Sequence, residues 1–240
     1  MLQGYRCDLH IHTCLSPCAD LDMYPTALIE KTIAEGLDVI AICDHNASEN
    51  VEYVIRAAED KPVFVFPGME ITSREEVHIL ALFDTLDDLW NIQDIVYGSL
   101  HGTNREEIFG CQPIVNELNE VEGFNERLLL GATDLSLHEV CDSIHRMHGV
   151  TIAAHVDREG FSILGQLGFI PPDLALDAVE LSDVGGNRHL QVSDYPIIRS
   201  SDAHVIGDIG RRTTTVYMAT PSIDELKMAM SGRQGRRIGS

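Results

Sequence analysis

Short apolar runs rich in β-branched residues alternate with helical patterns along most of the chain, and this alternation limits the folds that the chain can adopt. The predicted helices cover residues 26–35, 49–59, 136–148 and 222–230. The predicted strands cover residues 5–9, 38–43, 63–66, 78–83, 150–154, 178–181, 197–200 and 213–218. Strands that alternate with helices form βαβ units and a mostly parallel sheet. Eight short strands in 240 residues therefore predict a closed or nearly closed α/β barrel in one domain.

The middle of the chain and its last residues do not follow this pattern. Residues from 84 to about 135 lack strand patterns and are predicted to be helix and loop. Such an insertion could form a cap over a site, and a purely structural appendage is an equal alternative. The last ten residues, SGRQGRRIGS, contain three arginines and three glycines and are predicted to form a frayed tail.

The chain is strongly acidic, with 38 Asp and Glu residues against 17 Lys and Arg residues and a formal net charge of −21. Binding of long duplex nucleic acid depends on basic residues that neutralise phosphates, so we expect no such partner. A small phosphorylated ligand is compatible with this charge if bound metal cations supply local positive charge. No apolar run approaches the roughly 18 residues that cross a bilayer and no export leader is recognisable, so we expect a cytoplasmic protein without membrane association.

Six cysteines are present without a CxxC pair, which favours reduced thiols over a disulfide framework. Cys14 and Cys18 form a CxxxC motif that could bind zinc. No second cysteine pair completes a four-thiolate site, so this is the weaker interpretation.

Histidines and acidic residues occur at the edges of most predicted strands. In a parallel α/β barrel the carboxyl ends of the strands converge on one face, where active sites are built. Residues that are distant in sequence are thus predicted to be neighbours in space. The residues with this placement are His10, His12, Asp44, His45, Glu70, His78, His155, Asp202 and His204.

Spacing by two residues strengthens this prediction, because residues i and i+2 of a strand project to the same side. His10 with His12, and Asp202 with His204, could each hold one ion or two adjacent ions. Neutral imidazole and carboxylate are ligands that suit zinc, iron or manganese. The spacing therefore indicates a metal site at the strand ends.

Each motif alone has a simpler explanation, since His78 could be hydrogen-bonded in the core and Glu70 could cap a helix. Their shared placement at strand edges makes chance the weaker explanation. The other histidines lack this placement. We interpret His138, His145 and His148, in a helical stretch, as surface or packing residues, and we assign no role to the loop residues His101 and His189.

From DLHIHT near the start to SDAH near the end, these motifs resemble in order those of the PHP family, named for polymerase and histidinol phosphatase. The family's first motif resembles DxHxHxxxSDG followed by a proline. Here Ser16 keeps its place, but the three residues PCA precede Asp20. We match the loop ligand to Asp20, with Asp22 as the alternative. The resemblance implies an α/β fold, a distorted (βα)7-type TIM-like barrel, in a single PHP domain over residues 1–240 with the insertion at 84–135.

The resemblance also implies a trinuclear centre that binds two to three divalent metal ions, with zinc, manganese and iron as candidates. One carboxylate, Glu70, would bridge two ions. The implied ligands are His10, His12, Glu70 and Asp202 for one ion, Glu70, His78 and His155 for a second, and Asp20, His45 and His204 for a third. Partners such as Asp8 or Asp44 would fix the imidazole tautomers.

The implied activity is hydrolysis of a small phosphate ester by a hydroxide that bridges two ions, because divalent ions lower the pKa of water and neutralise phosphoryl oxygens. We assign catalytic roles to Glu70, Asp202, His204 and Arg158. The planar guanidinium of Arg158 could clamp phosphate, with Arg74 as a second candidate. A surface ion pair is the alternative for either arginine.

Two alternatives remain. Amidohydrolases also place an HxH at the end of the first strand, but many need a carbamylated lysine at a strand end, whereas Lys31, Lys61 and Lys227 have no such placement. A PHP-like domain can also bind metal without catalysis. Among enzyme substrates, a nucleotide, a phosphorylated metabolite and a short oligonucleotide are all compatible with the sequence, which contains no feature that sets the oligomeric state.

Overall fold

A computed structural model describes residues 1–182 and 192–239 of the chain. The helices are α1 (Pro25–Ala34), α2 (Val51–Ala57), α3 (Leu86–Ser99), α4 (Glu106–Phe109), α5 (Leu137–Arg146), α6 (Ile163–Leu167) and α7 (Ile223–Met230). The strands are β1 (Gln3–Ile11), β2 (Val39–Ile42), β3 (Phe64–Thr72), β4 (His78–Leu82), β5 (Pro113–Val115), β6 (Val121–Phe124), β7 (Val150–Ala153), β8 (Ala178–Glu180), β9 (Ile197–Ile198), β10 (Thr214–Met218) and β11 (Arg237–Ile238). No helix within the described ranges is long and apolar enough to cross a membrane.

The main sheet has nine strands in the order β11-β10-β1-β2-β3-β4-β7-β8-β9. Four of its strand pairs are parallel and four are antiparallel, so the expectation of a mostly parallel sheet is wrong. The clearest cause lies between β3 and β4, which are joined by residues 73–77. A parallel crossover needs a dozen or more residues, so β4 must run back along β3.

Seven of these strands, from β1 through β9 in sheet order, form the barrel that the sequence predicts. The chain just after β9 returns to β1, where Ile11 and Ala203 form a parallel bridge. The backbone N–H of His12 donates to the carbonyl of Ala203 at 3.0 Å. Strands β10 and β11 continue the sheet along the first half of β1, so the prediction of a frayed tail is wrong for residues 237 and 238.

All eight predicted strands are present, but the insertion at 84–135 differs from its prediction. It contains the helices α3 and α4 and also a β-hairpin, β5–β6, that the sequence pattern does not show. The strands of this hairpin have only three and four residues, and β6 is largely exposed. A strand this short and exposed lacks the apolar alternation by which strands are recognised.

Strand side chains alternate between two apolar clusters. In β2, Val39 and Ala41 belong to an inner cluster, which also contains apolar residues of α7. Ile40 and Ile42 belong to an outer cluster, which packs under the surrounding helices. This alternation follows from the period of two along a strand. Apolar side chains thus fill the inner face of the barrel beside α7 and leave the carboxyl ends of the parallel strands for polar residues.

A bulge interrupts this alternation in β1. Cys7 and Leu9 contribute to the inner cluster, whereas Ile11 contributes to the outer one. The register of β1 against β2 shifts between Asp8 and Ile11, which marks an extra residue in β1. Bulges re-aim the side chains that follow them and are frequent beside active sites. The bulge turns His10 and His12 toward the inside of the barrel.

Candidate metal centre

The polar end of the barrel gathers candidate ligands from six strands or strand ends. Glu70 lies near the carboxyl end of β3, and the antiparallel pairing of Thr72 with His78 brings the start of β4 to the same level. This explains why His78 opens its strand whereas the other candidates lie near the end of theirs or follow it. His155 follows β7, and residues 202 and 204 flank Ala203, whose bridge to Ile11 closes the barrel.

Glu70 is the centre of the cluster. Its carboxylate is buried, and neither oxygen has a partner with hydrogen-bond geometry among the described residues. Five imidazoles nevertheless lie close to it. Oε1 is 2.9 Å from His78 Nδ1, 3.3 Å from His155 Nε2 and 3.4 Å from His10 Nε2, and Oε2 is 2.9 Å from His45 Nδ1 and 3.5 Å from His12 Nε2.

Buried acceptors fix the orientation of the two histidines of β1. His10 Nδ1 donates to Oε2 of Glu180 at 3.0 Å. Ser16 donates its hydroxyl proton to Asp44 at 2.6 Å, so its oxygen accepts from His12 Nδ1 at 3.0 Å. In the neutral imidazoles these bonds leave both Nε2 lone pairs directed into the cluster, only 3.1 Å apart. Two lone pairs at this distance repel unless a proton or a metal cation lies between them.

Asp202 and Arg158 complete the wall of the cluster. Asp202 Oδ1 is 3.2 Å from the Nε2 atoms of both His10 and His12. Its other oxygen, Oδ2, is 2.5 Å from a guanidinium nitrogen of Arg158, which also lines the cavity. Arg158 is 41% exposed, so its guanidinium is accessible from the cavity mouth.

Both central carboxylates are held in the ionised form. Burial alone would raise the pKa of Glu70, but the imidazoles of His78, His10 and His45 hold it well below its usual range. Burial would also raise the pKa of Asp202, and the neighbouring His10 likewise keeps it well below its usual range. Ionised carboxylates keep their oxygens free as ligand atoms.

The two histidines of β1 have opposite pKa shifts. Burial lowers the pKa of His10, but the charges of Asp202 and Glu180 outweigh it and raise this pKa well above its usual value. Burial and the nearby His204 hold the pKa of His12 well below its usual value. A cation bound at His10 must displace a proton, since imidazole binds metal in its neutral form.

A third group of donors consists of imidazoles alone. One nitrogen each of His12, His45 and His204 lies within 4.8 Å of the others. Cys18 lines the cavity beside His45 and His204. Desolvation raises the pKa of the thiol, but the neighbouring imidazoles of His204 and His45 outweigh it and lower the pKa of Cys18 to about 7.

The donor set fits divalent transition metals. Among the described residues, three groups of donor atoms are close enough to share an ion, and each combines imidazole nitrogens with carboxylate oxygens or with further imidazoles. Nitrogen and oxygen donors suit zinc, iron and manganese. Buried carboxylate oxygens without hydrogen bonds are costly unless a cation binds them. The groups are His10, His12 and Asp202; His45, Glu70 and His78; and His12, His45 and His204.

Strained backbone conformations coincide with the cavity. His155, Phe161 and Asp202 line the cavity and have φ angles of 30°, 55° and 51°. Positive φ is uncommon for residues other than glycine and is an outlier for a bulky side chain. Such strain persists where the surrounding structure enforces it and is concentrated at functional sites.

Several predicted residues lie elsewhere. Asp20 and Asp22 are exposed, and neither lines the cavity. Arg74 is exposed beside Glu75. Asp8 accepts hydrogen bonds from the backbone of residues 201 and 210 and not from an imidazole. Three other histidines, His101, His138 and His145, pair with aspartates outside the cavity. The backbone carbonyl of His148 accepts a hydrogen bond from the Lys227 ammonium, and His189 lies outside the described residues.

The structure also shows residues at or behind the site that the sequence patterns do not indicate. Glu180 is the only charged residue of β8. The pattern of polar residues at strand edges does not include it, because the predicted strand extends one residue further, to residue 181. The position of Glu180, two residues after the inner-cluster residue Ala178, could have indicated an inward direction. Cys14 and Cys18 line different cavities, so the CxxxC motif does not form a shared metal site.

The fold and the site together define a class, a metal-binding α/β barrel with clustered imidazoles and carboxylates at one end, and they support a metal-dependent hydrolase. The sequence profile of the PHP domain matches residues 8–166, more than half of the chain. The chain therefore belongs to the PHP family.

The chain is similar to an exoribonuclease, an endonuclease and a candidate metal-dependent phosphoesterase. A "5'-3' exoribonuclease" of Haemophilus influenzae is 32% identical over 78 residues, which are 31% of this chain and 27% of that protein. The lesion-specific endonuclease Q of Pyrococcus furiosus has the same fold, with a TM-score of 0.72 and 18% identity over 98% of this chain and 58% of the endonuclease. A candidate metal-dependent phosphoesterase from Bifidobacterium adolescentis has a TM-score of 0.52 and 19% identity over 82% of this chain and 87% of its own. The chain thus spans about a quarter of the exoribonuclease and little more than half of the endonuclease.

Proposed function

We propose that the chain is a metal-dependent phosphoesterase that hydrolyses a small phosphate ester. The observation that carries this proposal is the position of Arg158 beside the buried cluster. Arg158 is the one arginine among the described residues lining this cavity, whose volume is about 430 Å³. Cavities of roughly 300–1000 Å³ hold small ligands. A guanidinium next to bound cations provides the planar donors that a phosphoryl group requires.

The proposed metal ligands are the residues that converge on Glu70, and two to three zinc, manganese or iron ions are the proposed cofactors. When bound, such ions would provide a nucleophile at neutral pH and neutralise the phosphoryl oxygens. The chain holds the imidazoles for this purpose through Glu180 and through Ser16 with Asp44. The proposed ligands are His10, His12, His45, Glu70, His78, His155, Asp202 and His204.

Arg158 pairs with Asp202. With Asp202 committed to a cation, the guanidinium would become free to bind an anionic substrate. Release of this ion pair couples metal binding to phosphate binding, because the carboxylate cannot satisfy both partners fully. We therefore propose Arg158 as the phosphate clamp and Asp202 as a metal ligand.

Phe161 supports a nucleotide as the substrate. Its ring lines the cavity, is 46% exposed and stacks on His78 with ring centroids 4.8 Å apart. Stacking of a base on an aromatic side chain contributes about 1–3 kcal/mol. The exoribonuclease and the endonuclease named above act on nucleic acid according to their names, and an endonuclease Q has been solved with a 27-mer duplex substrate containing an abasic lesion. For this chain, with its net charge of −21, we propose nucleotides or short single strands and not long duplexes.

We also propose that the insertion at 84–135 caps the site. Leu130 lines the cavity. The side-chain amide of Asn46, next to His45, donates to the carbonyls of Leu129 and Gly131 at 2.8 and 2.9 Å. The end of the insertion is thereby fixed above the strand ends, so it would limit the length of substrate that can enter.

The amidohydrolase alternative has no lysine to support it. Lys31 is in α1, Lys227 is in α7 and Lys61 precedes β3, and the described cavity wall contains none of them. A carbamylated lysine between two ions would have to lie within this wall. The phosphoesterase is therefore the better proposal.

The test is phosphate release from p-nitrophenyl phosphate, a nucleotide panel and short single-stranded oligonucleotides, with added Mn²⁺. Glu70→Ala and Asp202→Ala should abolish turnover while circular dichroism shows a folded chain. Glu52→Ala and Asp208→Ala, which break exposed ion pairs, are the matched controls and should keep full activity. Turnover that persists after either cavity substitution would refute the proposal.

Metal analysis separates the proposed enzyme from a non-catalytic metal-binding domain. Protein purified without chelator should contain more than one transition-metal ion per chain. Loaded protein that hydrolyses no substrate on the panel would favour the non-catalytic domain. Full activity in metal-free protein would contradict both.

A further inference from the structure

We propose that Cys18 is a metal ligand in this chain, where it takes the place of the loop carboxylate and joins His12, His45 and His204 around one ion. This inference deepens the proposed function and rests on a metal centre being present. It goes beyond the expected histidine and carboxylate set, because it adds a thiolate to the centre.

The path of the loop determines which side chain reaches the cavity. Ser16 is fixed by Asp44 and His12, and the N–H of Ala19 donates to the carbonyl of Ser16 at 2.9 Å, which closes a tight turn. The N–H of Asp20 donates to the carbonyl of His204 at 2.8 Å. These bonds hold the backbone on both sides of Cys18.

Within this fixed loop the thiol and the carboxylate have different environments. Both side chains are exposed, but Cys18 lines the cavity together with His45 and His204 and Asp20 does not. The insertion also holds the turn, since a Cβ added to Gly110 would lie 2.6 Å from the carbonyl oxygen of Pro17. The three residues that separate Ser16 from Asp20 thus carry the carboxylate past the site and leave the thiol facing it.

The three imidazoles supply a second, independent reason for an ion at this place. The ring centroid of His12 lies 4.6 Å from that of His45 and 4.0 Å from that of His204. His204 Nδ1 donates to the backbone carbonyl of Asp202 at 3.0 Å, which leaves its Nε2 as a free donor to metal. His45 is buried, its Nδ1 faces Glu70 Oε2 at 2.9 Å, and one of its ring nitrogens lies within 4.8 Å of nitrogens of His12 and His204. Converging imidazole lone pairs are stable when they share a cation.

A thiolate changes which metal the position prefers. Cys and His together form zinc sites, and soft thiolate selects zinc over the harder manganese. The thiolate also supplies the negative charge that this all-imidazole group lacks. We therefore expect the ion at Cys18 to be zinc, even where the other positions accept manganese.

The test is spectroscopic and does not depend on turnover. The full chain is freed of metal and titrated with Co²⁺, because thiolate coordination produces a sulfur-to-metal charge-transfer band in the near ultraviolet that imidazole and carboxylate do not produce. Wild type should show the band, and Cys18→Ser should lose it. Cys111→Ser, which removes a partly exposed thiol outside this cavity, is the matched control and should keep it.

Metal affinity provides the second measurement. Cys18→Ser should weaken zinc binding at one position by at least the roughly 10- to 100-fold that loss of an outer partner of a ligand causes. Cys18→Asp should restore binding with a shift toward manganese. Unchanged melting curves for both variants would show that the fold is intact, since Cys18 is exposed.

The outcomes separate this inference from the proposed function. A band that persists in Cys18→Ser, or full Co²⁺ binding by wild type without a band, would overturn the role of Cys18 while leaving the phosphoesterase proposal in place. A band that depends on Cys18 in a protein without phosphoesterase activity would support the ligand and refute the enzyme.

Discussion

Replacement of Glu180 by glutamine should weaken metal binding at the buried cluster without moving any ligand. Glu180 is buried and accepts hydrogen bonds through Oε2 from His10 Nδ1 at 3.0 Å and from the backbone N–H of His155 at 3.1 Å. It touches no other proposed ligand atom. Its function would be to hold His10 in the tautomer that directs Nε2 into the cluster and to increase the basicity of that nitrogen.

The magnitude follows from the contacts. Glutamine keeps one carbonyl oxygen, which can accept both hydrogen bonds, but it removes the negative charge behind His10. Loss of such an outer partner weakens metal binding about 10- to 100-fold, which corresponds to roughly 1.4–2.7 kcal/mol. The other oxygen of Glu180 has no hydrogen-bond partner among the described residues, so the new amide N–H groups would also be unsatisfied at a cost of about 1–3 kcal/mol.

The assay is zinc affinity measured by competition with a chromophoric chelator. Glu180→Gln should weaken zinc binding about 10- to 100-fold. Glu180→Ala should weaken zinc binding by about 100-fold or more, because the alanine also leaves the His10 imidazole free to rotate. Glu225→Gln is the matched control, since Glu225 is also largely buried but pairs with Arg236 far from the cluster. Equal zinc affinities for wild type and Glu180→Gln would refute the role of Glu180.

Two further predictions concern stability. Burial opposes ionisation of Asp177, but hydrogen bonds from His145 and Thr151 lower its pKa below 3.8; its stabilisation is thus complete above that pH and is lost as the pH falls through the lower, folded pKa. Asp177→Asn should reduce the free energy of unfolding by about 1–3 kcal/mol at pH 7 in urea titrations. If the difference in unfolding free energy between wild type and variant does not become smaller at acid pH, the ionised Asp177 is not the source of this stabilisation. Ser136→Ala removes the capping box of α5 and should cost about 0.5–2 kcal/mol, whereas an unchanged urea midpoint would show that the cap contributes nothing.

Much of the candidate centre could be predicted because strand ends in a barrel share one face. His10, Glu70 and His155 are separated by 60 or more residues, yet each lies near the end of a strand or follows one. The structure places the imidazoles of His10 and His155 within 3.4 Å of the Glu70 carboxylate. The direction of β4 could also have been derived, since the connection between β3 and β4 is too short for a parallel crossover. Both inferences need only chain geometry.

The remaining features depend on contacts between distant segments. Glu180 becomes a partner of His10 only when β8 lies beside β7, and Cys18 reaches the cavity because Asp20 is bound through its backbone to His204. The hairpin β5–β6 and the strand β11 are short, and their own sequences do not favour a sheet. Their partners stabilise them.

The sequence by itself determined which chemical groups the protein has and that most of them lie at the ends of strands, because hydrophobic periodicity sets the strands and strand polarity sets their ends. Only the tertiary structure decided which way these groups point. A single extra residue in β1 turns His10 and His12 to the inner face. Two backbone hydrogen bonds in the loop after β1 place the Cys18 thiol, and not the Asp20 carboxylate, at the cavity wall. In both places a shift of one or two residues along the chain changes which side chain faces the cavity. A pattern of apolar and polar residues does not show such a shift.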